Sequence, residues 1–298
     1  MGAAALRWPA GGPGRQRRGT ARLDRRRRPP RRPAHALSPR DPGALGRKDH
    51  LAPQPAGAPA RSPQTLSGRL LGIGTGPGDP ELVTLKAVRL TRTAGLVVSL
   101  AASGRPSRAR RIMAPHLPTG VPEITVELDM GPDRTAVDRA YDQLALDIRA
   151  EVARGHDVAV LCEGDPLLFG TFIYLLQRLP DLPVEIVPGI SSPHAAAARA
   201  AWPLATGDRA FAVLPATMGI DRLRERLARV DAAAIIKVGS HLPAVRALLG
   251  EWGLAGEALL AVQATTEAEA ITPLGAYAGE TAPYFSLVLT RGLGGARG

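Results

Sequence analysis

The sequence predicts an α/β fold whose sheets carry parallel strand pairs. From Arg69 onward, short apolar runs alternate with longer helical patterns, the order that builds strand–helix–strand units. Three Gly-rich turns, after Ile73, Cys162 and Val187, each follow an expected strand, and in such sheets ligands sit outside the carboxyl ends of the strands. The chain has 298 residues, for which two domains is the natural expectation at roughly 100–200 residues each. Apolar residues make up 45% but aromatics only 4%, so the cores must be built from Leu, Val, Ile and Ala.

Leu70–Ile73 reads as the first strand. Asp79 is a suitable N-cap, Pro80 suits a first helical position, and Glu81 favours the positive end of a helix running to about Leu90. Leu96–Leu100 and Ile124–Leu128 are further strands, flanking a helix over Arg105–Leu117. Val137, Tyr141, Leu144, Ile148 and Val152 recur at helical spacing on one face. Asp157–Cys162 is a strand, and Leu167–Leu179 a helix closed by Pro180. The alternation then repeats: strand Val184–Val187, an Ala-rich helix, strand Ala210–Leu214, helix Ile220–Val230, strand Ala233–Val238, helix Pro243–Trp252, and strands Ala258–Ala264 and Tyr284–Thr290.

The net charge of +11 is unevenly placed. Residues 1–65 hold 14 Arg and Lys48 against Asp24, Asp41 and Asp49, a net of +12, which leaves the rest of the chain at −1. The segment is rich in Pro, Gly and Ala without apolar periodicity, and is expected to be a disordered basic leader. Arg25–Arg28 could touch a nucleic acid; the plainer reading is a tail with no specific role. No apolar run follows Arg17–Arg18 as an export signal requires, and none approaches the ~18–20 residues that span a bilayer. With a single cysteine, Cys162, the chain holds no internal disulfide or multi-cysteine metal site, and its histidines show no zinc-like spacing. No metal is expected.

The first turn, Gly72-Ile73-Gly74-Thr75-Gly76-Pro77-Gly78-Asp79-Pro80, breaks the nicotinamide fingerprint and lacks the P-loop ending. Its glycines admit a close ligand or another backbone. The second, Glu163-Gly164-Asp165-Pro166-Leu167-Leu168-Phe169-Gly170, is either a capped helix start or one wall of a cation-binding cleft, and the two are compatible. The third, Pro188-Gly189-Ile190-Ser191-Ser192-Pro193, supplies hydroxyls and amides for capping or for a ligand's polar groups.

These three motifs, in this order and spacing, resemble the tetrapyrrole methylase family over about Leu70–Arg291. Gly76–Ala87, Val158–Gly170, Lys237–His241 and Tyr284–Leu289 are similar to the branch of that family that methylates precorrin-2 at C20. Uroporphyrinogen methylases usually carry glycine where this chain has Glu163. The resemblance implies two α/β domains with mixed sheets, of the class III methyltransferase kind, over residues 66–180 and 181–298, with a cofactor cleft between them. It further implies a cytoplasmic homodimer using S-adenosyl-L-methionine and acting on precorrin-2, with neither a nucleic acid nor a membrane as partner. By position, Pro77, Glu163, Gly164, Asp165, Leu168, Ser191, Ser192, Val238 and Ala264 would contact the cofactor. Ser99-Leu100 departs from the Tyr-containing pair of relatives.

The implied reaction is in-line methyl transfer to an electron-rich meso carbon, in which the cofactor carries the chemistry and the protein orients it. No catalytic residue is assigned. Arg105, Arg108, Arg110 and Arg111 are candidates for the substrate's carboxylates, set against a solvated helix face; His241 and Arg199 are weaker candidates. Rival readings are a cobalt-containing substrate, another ring position, a ribosomal-RNA methylase, a nicotinamide dehydrogenase, and a nucleic-acid-binding protein acting through its leader.

Overall fold

The computed structural model describes residues 68–129 and 134–294; the expected basic leader, residues 1–65, lies outside them. All described elements belong to the compact unit Ala60–Gly298.

The first sheet has the order β3-β2-β4-β1-β5, built from β1 (Leu70–Gly74), β2 (Leu96–Ala102), β3 (Glu123–Leu128), β4 (Val158–Cys162) and β5 (Val184–Val187). Each neighbouring pair is parallel. β1 and β4 are buried at every position because helices cover both faces, which is why these strands read as unbroken apolar runs. Leu70, Val98, Val158 and Val160 pack toward one core with α3 (Arg134–Ala153) and α4 (Phe172–Arg178). Leu71, Ile73, Val97 and Leu161 pack toward another with α1 (Leu85–Arg92) and α2 (Arg108–Met113). The spacing seen in the sequence holds for α3: Val137, Tyr141, Leu144, Ile148 and Val152 are all buried.

The second sheet has the order β6-β7-β10-β8-β9. β6 (Phe211–Pro215) runs parallel to β7 (Ala232–Ile236), whereas β10 (Ser286–Arg291) lies antiparallel to β7 and to β8 (Leu259–Val262). α6 (Ile220–Leu227) and α7 (Leu242–Glu251) cover one face, and the Ala-rich α5 (Ser192–Arg199) the other. The small side chains of Ala196, Ala197, Ala234 and Ala261 let α5 lie close to this sheet.

Three local expectations change. The helix drawn from Pro80 to Leu90 is a 3-10 turn, Pro80–Leu82, followed by α1, whose own N-cap is Thr84, accepting from Ala87 N at 3.2 Å. The helix drawn over Leu167–Leu179 begins only at Phe172. Asp165 turns the chain by accepting from Leu167 N at 2.9 Å, and Phe169 takes a left-handed φ of 55°, so helical bonding cannot start there. Strand β9 (Ala270–Pro273), hydrogen-bonded to β8, is absent from the sequence reading; it is short and half-exposed, so it carries little apolar signal. Val184–Val187, beyond the expected boundary at residue 180, gives its hydrogen bonds to β1 and completes the first sheet.

Candidate functional site

The carboxyl ends of β1, β4 and β5 converge through their backbones. Thr75 donates both its amide and its hydroxyl to Cys162 O, at 2.8 and 3.0 Å. Gly76 and Gly164 exchange amide-to-carbonyl bonds at 3.3 and 2.8 Å, forming a small antiparallel bridge. Gly164 adopts φ 62° and Gly76 φ 77°, conformations that favour glycine. The third turn locks onto the second: Gly189 N donates to Asp165 Oδ2 at 3.1 Å. Gly189 sits so near that a Cβ on it would collide with Gly164 O and approach Gly74 Cα within 2.9 Å.

The second sheet joins this arrangement. Thr265, which follows β8 with φ 69°, accepts from Asp79 N at 3.2 Å. Thr265 N donates to Glu269 Oε2 at 2.6 Å, and Glu269 is ion-paired to Arg199 at 2.8 Å. The hydrogen bond and charge of Arg199 hold the Glu269 carboxyl below its ordinary range.

Between these groups lies a cavity of about 890 Å³, whose walls include Asp79, Asp165, Leu168, Gly189, Ser191 and Glu269. Its size is within the ~300–1,000 Å³ of small-molecule sites. Ser191 stands at the N-cap of α5, but its side chain makes no capping bond; it shares a 2.7 Å hydrogen bond with His194 Nδ1, and His194 also lines the cavity. Backbone groups from a glycine turn, a hydroxyl, an apolar Leu168 wall and the carboxylates of Asp79 and Asp165 fit a ligand that joins a polar, hydrogen-bonding body to a positive charge.

Of the residues marked in the sequence, Asp165, Leu168 and Ser191 line this cavity. Gly164 stands behind it in the bridge to Gly76. Ala264 O lies against Gly78, 3.3 Å from where a Cβ would stand. Ser192 is exposed at the start of α5, and Val238 is wholly buried in the core under α6 and α7. Pro77 O accepts from Arg108 Nη2 at 3.1 Å.

Arg108 is 8% exposed, which pulls its pKa down through desolvation, and its guanidinium lies 4.1 Å from the centroid of Phe285. Arg105, Arg110 and Arg111 border a second cavity of about 640 Å³, which Thr125 and Glu127 of β3 also line. Arg110 is occupied by Glu123 through bonds of 2.8 and 2.9 Å. His241 is exposed in the 3-10 turn after β7 and borders neither cavity. Arg199, a weak substrate candidate in the sequence, instead lines the first cavity through its pair with Glu269.

Glu163 takes a different position from its neighbours. It borders neither cavity, and its half-buried side chain makes no hydrogen bond or ion pair among the described residues. Burial raises its pKa to about 7, against the opposing pull of Arg108 and Arg111.

Sequence reasoning missed Thr265, Thr266, Glu269 and His194 as cavity residues. Thr265 and Glu269 are brought in by the turn between β8 and β9. His194, one turn past Ser191 in the third motif, could have been found from that spacing.

The match to known proteins covers the same elements. The family model for tetrapyrrole (corrin/porphyrin) methylases matches residues 69–277. Precorrin-2 C(20)-methyltransferase of Sinorhizobium sp is 40% identical over 234 residues, spanning 76% of this chain and 96% of that protein. Cobalt-precorrin-2 C(20)-methyltransferase of Salmonella typhimurium is 32% identical over 207 residues, spanning 68% and 87%. Among solved structures, uroporphyrin-III C-methyl transferase of Thermus thermophilus, complexed with S-adenyl homocysteine, is similar with a TM-score of 0.55 at 26% identity, covering 75% of this chain and 97% of its own. The interlocked turns, the two sheets and this match along most of the chain lead to one assignment: the chain belongs to the tetrapyrrole (corrin/porphyrin) methylases.

Proposed function

We propose that this chain is an S-adenosylmethionine-dependent C-methyltransferase that methylates C20 of precorrin-2. The observation that carries the reading is the cavity into which Asp165, Leu168 and Ser191 project from turns tied together by the Asp165–Gly189 bond. The 40% identity along 96% of the Sinorhizobium relative supports the choice of substrate.

When bound, S-adenosylmethionine supplies an electrophilic methyl group on a sulfonium. Asp79 and Asp165 give the cavity the negative charge that a sulfonium-bearing ligand favours, Glu269 being balanced by Arg199, and Ser191 offers a hydroxyl to its polar parts. Leu168 gives the cavity an apolar wall. Arg105 and Arg111, whose cavity opens beside α2, are suited to hold the carboxylates of the tetrapyrrole. No protein nucleophile is needed for direct methyl transfer. We further place the enzyme in the cytoplasm as a homodimer, with its leader dispensable for activity. No described helix is long and apolar enough to cross a membrane.

A second reading is the cobalt complex of the same substrate, favoured by the 32% identity to the Salmonella relative over 87% of its length. Calorimetry with S-adenosylhomocysteine tests the cofactor: wild type is expected to bind it, and absence of binding refutes the reading. Assays with metal-free and cobalt-bound precorrin-2, read by mass and by NMR of the methylated carbon, decide the substrate.

A further inference from the structure

One face of α5 runs along the first cavity: Ser191 at the N-cap, then His194, Ala195, Ala198 and Arg199, at helical spacing. At 1.5 Å per residue this stripe is about 12 Å long. Ser191 and His194 are bonded to each other at one end. The two alanines put only methyl groups in the middle, and Arg199 stands at the other end.

Arg199 is the only Arg or Lys among the described residues that line this cavity. Its Nε donates to both oxygens of Glu269, at 2.8 and 3.0 Å, and its Nη2 lies 2.8 Å from Oε1. Nη1 makes no hydrogen bond among the described residues, and the side chain is 58% exposed. Glu269 is fixed in turn by Thr265 N at 2.6 Å, and Thr265 Oγ1 accepts from Asp79 N at 3.2 Å. The guanidinium is therefore tied through Glu269 and Thr265 to the turn after β1, while one of its edges still faces the cavity. A planar guanidinium has donors enough to hold two carboxylates at once.

S-adenosylmethionine carries three charged groups: a sulfonium, an ammonium and a carboxylate. The carboxylates of Asp79 and Asp165 suit the two cations; the anion needs a cation of the protein. We propose that Arg199, held on one edge by Glu269, binds the carboxylate of the cofactor's amino-acid part through Nη1. This rests on the methyltransferase reading above and adds to it the group that anchors the cofactor's charged end. Fixing that end limits the directions in which the methyl group can point, which is what transfer to a ring carbon requires of the protein.

Calorimetry on the full chain separates the carboxylate from the rest of the ligand. The probes are S-adenosylhomocysteine and its decarboxylated counterpart, S-adenosyl-3-thiopropylamine. Wild type should bind the first about tenfold to a hundredfold more tightly, the worth of a charge-assisted hydrogen bond. Arg199→Gln should lose that preference by weakening S-adenosylhomocysteine alone, with the counterpart's affinity within about threefold of wild type. Retained binding of the counterpart shows that the cavity is intact. Arg199→Gln also leaves the Glu269 charge unpaired beside the ligand, so Arg199→Gln/Glu269→Gln removes both charges together; it should distinguish the two probes no better than the single variant. The proposal is overturned if wild type binds both probes equally, if Arg199→Gln weakens both by the same factor, or if the preference returns in the double variant. The second result would make Arg199 a prop for the cavity wall, and the third would trace the loss to Glu269. If wild type binds neither probe, the methyltransferase reading itself has failed, and this inference with it.

Discussion

Asp165 divides its two carboxylate oxygens between two turns: Oδ1 accepts from Leu167 N at 2.9 Å, and Oδ2 from Gly189 N at 3.1 Å. One bond shapes its own loop and the other fastens that loop to the turn after β5. Asp165→Ala removes both, leaving two amides unpaired. Each lost bond to a charged group is worth about 1.5–3 kcal/mol, so chemical denaturation should show a loss on the order of 2 kcal/mol or more. Calorimetry should show S-adenosylhomocysteine affinity weakened at least about tenfold. Asp165→Asn, which keeps one acceptor, should fall between.

Gly189 is required by space rather than by φ. A side chain there meets Gly164 O and the backbone of Gly74, neither of which can yield without breaking the bridge between Gly76 and Gly164. Gly189→Ala should destabilise the protein by about 2–4 kcal/mol in urea unfolding. Gly239→Ala, where an added Cβ meets nothing within 4 Å, should change stability by less than about 0.5 kcal/mol. Equal effects at both positions would contradict the interlocked arrangement.

The reach of sequence reasoning follows from where each signal is stored. α3 is legible because five apolar residues recur on one face, and the structure buries all five. The parallel strands are legible because burial on both faces leaves unbroken apolar runs. The start of α4 is not, because Leu167, Leu168 and Phe169 look like helix formers while Asp165 and the left-handed Phe169 turn the chain away. Those three residues are exposed, so their apolar character belongs to a loop and not to a core. Thr265 and Glu269 could not be placed, since they reach the site only through the pairing of β8 with β9, a long-range fact without a local pattern. Val238, placed by analogy with relatives, has its side chain in the core, where apolar packing sets its identity.

The arginines beside β2 and on α2 separate by environment. Arg105 and Arg111 border an open cavity, while Arg110 is held by Glu123. The double variant Arg105→Ala/Arg111→Ala should raise KM for the tetrapyrrole by about tenfold to a hundredfold, consistent with about 1.5–3 kcal/mol for charge-assisted bonds. S-adenosylhomocysteine affinity should stay unchanged by calorimetry. Arg110→Ala should alter KM far less. A KM equal to that of wild type in the double variant would remove these two residues from substrate binding.

Glu163 also couples the protein's stability to pH, with a sign opposite to the usual carboxylate. Its folded pKa, about 7, is raised above its ordinary value by burial. Between the two values the folded state holds a proton that the unfolded state has lost, so this group makes stability fall as pH rises through that window. Glu163→Gln removes the linkage. It should therefore be more stable than wild type at pH 8, by roughly 1.4 kcal/mol for every tenfold difference in proton affinity between the folded and unfolded carboxyl, and the difference should shrink toward pH 5. Arg108→Met removes a neighbouring cation that favours the charged form, so it should move the midpoint of this dependence to higher pH. Denaturant melts of the three proteins at several pH values measure both effects. A flat difference between wild type and Glu163→Gln across that range would mean that the carboxyl titrates in the ordinary range and is not shielded by the fold.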